Sequence, residues 1–203
     1  MRFISRNFWI LPLMLTVGCL KPSNPIKVAP GVDLNVSRKI AVLDFAFEPA
    51  QVTLPSESGG IEVGHRRPEE EEKPGTVMAD AIAHALAAKR LYEVVEREEL
   101  EDLEQPASAE PTNEQLAPLV QKLGVDGFVV GTVTECAVWS ESACCSLVND
   151  IEIRAEVRLV SVAGDEIWST SMQLREDGTV WERAMQRFAM RLADALDERL
   201  PGT

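Results

Sequence analysis

Histidine is nearly absent. Only two occur among 203 residues, so a multi-histidine metal site is excluded. Basic charge is also short: 20 Lys and Arg stand against 33 Asp and Glu, a net charge of −13. A nucleic-acid binder needs a basic face to neutralise phosphates, and a polybasic membrane-surface module needs the same, so both are disfavoured. No G-x-S-x-G elbow, glycine-rich phosphate loop or double C-x₂-C pair occurs. No apolar run reaches the roughly twenty residues of a spanning helix. The chain is long enough for one domain with a sizeable core, and its 45% hydrophobic content marks it as globular.

The start of the chain reads as an address. Arg2 and Arg6 precede an apolar run from Phe8 to Val17, the pattern of a signal-peptide h-region. Leu15-Thr16-Val17-Gly18-Cys19 then resembles a bacterial lipobox, with Thr16 where leucine is commoner. That resemblance implies a signal peptide over 1–18 and lipidation of Cys19. Acyl chains at about 0.8 kcal/mol per buried CH₂ give a firm anchor. Leu20 after Cys19, where aspartate favours inner-membrane retention in well-studied enterobacterial lipoproteins, points to the periplasmic face of the outer membrane. Residues 19–37 hold Pro22, Pro25, Pro30 and Gly31 without periodicity and read as a flexible tether.

The domain is expected over 38–200. Ile40 to Phe47 has the near-continuous apolar run of a buried strand. Residues 48–74, with Glu69-Glu70-Glu71-Glu72 and His65-Arg66-Arg67, read as a long acidic loop. Helical patterns follow over Gly75–Arg90 and Arg97–Leu103. A third opens at the Thr112/Gln115 capping box, unless Pro118 marks a later start, and ends at Gly124. Strands are expected at Leu91–Glu96, Phe128–Val133, Ile151–Val162 and Glu166–Leu174, and a last helix after a second capping box at Thr179/Glu182. The order predicts an α/β fold: a single mixed β-sheet, βαβ units followed by an antiparallel meander, with packed helices.

Candidate sites are few. Cys136, Cys144 and Cys145 fall in an expected loop between strands. In an oxidising compartment a disulfide there is the leading reading, with free thiols and a metal site as alternatives. Asp80 and His84 share a helix face as a surface pair. Glu96, Glu98 and Glu99 are not placed as a catalytic pair. The Glu/Arg alternation of 151–159 reads as a cross-strand charge ladder or a docking face.

Four stretches resemble the CsgG/HfaB-like domain family: Ile40-Ala41-Val42-Leu43-Asp44-Phe45, Leu91 to Arg97 with Glu99-Leu100, Leu123 to Thr132, and Val157 to Ser169. The resemblance implies a non-enzymatic envelope lipoprotein without a cofactor. It would bind a protein partner as an accessory of surface-protein export. Similarity to LpoB-type lipoproteins keeps activation of a penicillin-binding protein open, and a self-assembling ring at the outer membrane is a further alternative. A homo-oligomer is thus one expected partner state, and Glu96-Arg97 is expected to be structural. The gaps Cys136–Asp150 and Arg175–Gly178 are too short or too polar for the membrane hairpins of the pore-forming member.

Overall fold

The computed structural model describes residues 26–31, 39–48, 63–66, 73–106, 110–143, 146–177 and 180–199. Along them run β1 (Lys27–Val28), β2 (Lys39–Val42), β3 (Ala46–Phe47), β4 (Val63–Arg66), α1 (Pro74–Ala88) and β5 (Glu93–Val94). Then follow α2 (Glu98–Glu101), α3 (Asn113–Leu123), β6 (Gly127–Ala143), β7 (Ser146–Ser161), β8 (Glu166–Asp177) and α4 (Trp181–Asp197). The strands form one mixed sheet in the order β1-β8-β7-β6-β2-β5. β2 runs parallel to β5 and β6, and β6, β7 and β8 form the antiparallel meander. This is the architecture expected from the sequence.

Each strand residue is assigned to a face by the two-residue period. Ile40 and Val42 of β2 face α1, while Ala41 of β2 and Leu43 just after it enter the smaller core under α2 and α3. In β7, Ile151, Ile153, Ala155, Val157 and Leu159 are buried with α4, and Glu152, Arg154 and Arg158 are half-buried on the reverse. Helix α4 buries Met185, Phe188, Leu192 and Leu196 at helical spacing. Helix α3 begins where its capping box predicts: Gln115 N–H donates to Thr112 Oγ1 and Thr112 N–H to Gln115 Oε1. Pro118 is carried inside it on the exposed side, where water can serve the carbonyl left without a donor.

Several boundaries differ from the sequence reading. Ile26 is buried and β1 pairs with β8, so this part of the expected tether belongs to the sheet. Within 48–74, Val63–Arg66 forms a strand antiparallel to β6, and Pro74 opens α1. Helix α4 has Val180 at its N-cap position with no side-chain cap, so the second capping box does not form as written; Thr179 lies outside the described residues.

The largest difference is β6. It runs to Ala143, and its hairpin with β7 replaces the expected polar loop. Backbone pairing, with β4 on one side and β7 on the other, overrides the weak apolar signal of Ser140-Glu141-Ser142. Cys136 therefore sits inside a strand, opposite Ile153, and is buried. Seven residue steps, about 23 Å of extended chain, separate Cys136 from Ala143 at the end of β6. Cys144 and Cys145 lie outside the described residues.

Candidate functional site

Two features sit side by side on α1. The first is a polar clasp around Arg97, at the start of α2. Its Nη1 donates to the Val42 carbonyl at 2.7 Å and its Nε to Asp80 of α1 at 2.5 Å. Its Nη2 donates to the Asp44 carboxylate. The Asp44 N–H donates to Gln105 Oε1 at 2.8 Å. Three elements are thus held by one guanidinium, whose five donors suit such a junction.

The clasp continues into the core through Phe45. A Cβ on Gly131 would stand 2.5 Å from the Phe45 ring and 2.3 Å from the Glu156 carbonyl. One on Gly75 would stand 1.9 Å from the Phe45 carbonyl. Both glycines are required by close approach rather than by backbone angle. At the other end of β2, Lys39 N–H donates to the Asp126 carboxylate at 2.9 Å, and Lys39 Nζ to the Leu123 carbonyl at 2.9 Å. Those ties set the β2–β6 register.

The second feature is a groove of about 570 Å³ between α1 and α4. Val77, Ala81, Ala85 and Ala88 form one wall, and Met190 and Ala193 the other. The small α1 side chains leave the space open. Asp80 and His84 stand along it, as their shared helix face predicts, and Asp80 is also the carboxylate held by Arg97. At the far end Lys89 bridges to Asp194 at 2.6 Å and Asp197 at 3.8 Å. The Asp194 contact raises the Lys89 pKa and keeps it charged. The groove's walls are apolar, and Asp80 and Lys89 at its edges are held in ion pairs with residues outside it, so its chemistry is that of contact.

The remaining sequence candidates fall elsewhere. Cys19, Cys144, Cys145 and Glu69–Glu72 lie outside the described residues, while His65 is on β4. Among the described residues no cluster of His, Cys, Asp and Glu is arranged to hold a metal ion. The charge ladder forms as read: Arg154 reaches Glu135 on β6 and Glu152 on its own strand, both at 3.3 Å. Sequence reasoning missed the groove. Its one signal is Met190, an apolar residue on the polar side of α4, 60% exposed.

The model of the family "Curli production assembly/transport component CsgG" matches residues 26–143, more than half of the chain. Comparison with curated proteins returns no match. Among solved structures, the lipoprotein GNA1162 from Neisseria meningitidis is similar at a TM-score of 0.50 and 19% identity, over 82% of this chain and 99% of that one. The PelC dodecamer from Paraburkholderia phytofirmans gives 0.43 and 14%, over 85% and 92%. The hypothetical protein CT253 from Chlamydia trachomatis gives 0.42 and 11%, over 80% and 95%.

Proposed function

The chain belongs to the CsgG family, and on that premise we propose that it is a lipid-anchored lipoprotein at the periplasmic face of the outer membrane. It works there by binding a protein partner in envelope assembly, as an accessory of surface-protein export, and not by catalysis. The observation that carries this reading is the family match over 26–143, which spans β1 to β6 and includes both the clasp and α1. The sequence Leu15 to Cys19 supports the anchor. The paired state of the clasp carboxylates and the apolar groove support binding over turnover. An anchor confines the domain to the membrane surface and raises its effective concentration near any envelope partner, so modest contacts suffice.

Two measurements test this. Cells fed labelled palmitate should label the wild-type chain and not Cys19→Ser, which should also leave the membrane fraction. In-cell crosslinking followed by mass spectrometry should then recover export components of the envelope. An unlabelled wild type would end the anchor reading. Recovery of a penicillin-binding protein instead would replace export with wall synthesis.

A further inference from the structure

We infer that the outer edge of β8, from Ser171 to Asp177, docks an extended segment of a partner protein, which adds a strand to the sheet and turns a carboxylate toward α4. The inference deepens the proposed binding role and rests on it, but not on the anchor.

The edge follows from register. Ala29 N–H donates to the Ile167 carbonyl at 3.0 Å, and Lys27 and Val28 face Ser169 and Trp168. Successive residues of a strand turn their backbone groups to opposite sides. The backbone N–H and C=O of Ser171 and Gln173 therefore point to the side of β1, and those of Met172 and Leu174 to β7. Among the described residues no strand pairs with β8 on the β1 side beyond Ser169. β1 itself is poorly suited to lengthen there: in the same register position 25 faces Ser171, and Pro25 has no N–H to donate. Proline and bulges, two common guards of an open edge, are both missing between Ser171 and Asp177. The other edge of the sheet is blunted, because β5 is two residues long.

Side chains select the strand that fits. Met172 and Leu174 are buried in the core shared with α4, so an added strand suits apolar residues beside them. Next on that face is Glu176, 8% exposed, with Arg187 at 2.6 Å and Arg191 at 3.7 Å. Two guanidiniums share this one carboxylate and remain 50% and 53% exposed. A second carboxylate beside Glu176 gives the pair its missing counter-charge. On the reverse face Ser171 and Gln173 are exposed and suit small polar neighbours. A strand in line with β1 and antiparallel to β8 thus reads acid first, then two apolar residues, at every second position. The backbone ladder supplies affinity and the alternate side chains supply selection.

The probe is the fluorescent peptide Thr-Glu-Thr-Val-Thr-Val-Thr, titrated against the full chain in mild detergent. It should bind saturably and protect the Ser171 and Gln173 amides from hydrogen exchange. N-methylation of its third and fifth residues, whose N–H groups face β8, should weaken binding by about tenfold or more. N-methylation of the fourth and sixth, whose N–H groups face away, should leave it unchanged. Lysine in place of its glutamate should weaken binding about tenfold. Ser171→Pro should do the same, whereas Ser171→Thr, which keeps the N–H, should not. No binding, equal loss from both methylated pairs, or indifference to the charge reversal would each overturn the inference. So would Ser171 and Gln173 amides already protected without peptide, since the chain itself or a second copy then fills the edge. Palmitate labelling and crosslinking can succeed where the peptide fails, so the two readings fail separately.

Discussion

The two halves of the sheet are held in different ways. The parallel half, β5-β2-β6, is fastened by directed polar ties: Lys39 to Asp126 and Leu123, and Arg97 to Val42, Asp44 and Asp80. The meander half, β6-β7-β8, rests on apolar burial against α4 on one face and carries a half-buried charge ladder on the other. Parallel strands have no hairpin to set their register, so side chains must do it. The meander obtains its register from its turns and from alternation, and its charged face is left free to vary.

The sharpest way to break the meander half is at its largest fully buried side chain. Trp168→Ala should cost about 3–5 kcal/mol, read as a fall in the denaturation midpoint. Next comes a direct comparison of two arginines. Arg97→Ala strands partly buried acceptors and should cost about 2 kcal/mol. Arg154→Ala removes two 3.3 Å contacts made by a half-exposed guanidinium and should cost about 1 kcal/mol. Equal losses in chemical denaturation would show that the clasp is no more than surface decoration.

A pH titration probes the seam between the halves. Trp168 Nε1 on β8 donates to the Tyr92 hydroxyl, just ahead of β5, at 3.1 Å. Burial raises the Tyr92 pKa above its usual 10.0, and the Trp168 hydrogen bond opposes this in part. The folded state therefore holds its proton more tightly than the unfolded chain does. Tyr92's contribution is fully present below about pH 10 and is lost as pH climbs through the raised value. Lys89, also raised, acts in the same direction. Stability measured against pH should fall in the alkaline range, and Tyr92→Phe should remove part of that fall while leaving the Lys89 part.

Much of the fold was legible because local signals agreed with it. The alternation of Ile151 to Leu159, the Thr112–Gln115 box and the α4 stripe each needed only their own residues. The structural role expected of Arg97 also held. What escaped depended on partners distant in sequence. β4 and the outer part of β6 have little strand character alone and exist by pairing with each other and β7. The groove follows from how α1 and α4 lie together, which no single helix encodes.

The short β1 has a mechanical consequence. Among the described residues, a pull on the chain ahead of Ile26 loads first the pairs Lys27–Ser169 and Val28–Trp168, the Ala29 to Ile167 hydrogen bond, and the buried Ile26. Under rising tension this edge peels first, while β8 stays zipped to β7 from Leu159 to Asp150. It is a built-in fuse that lets the chain lengthen before the body of the sheet bears any load.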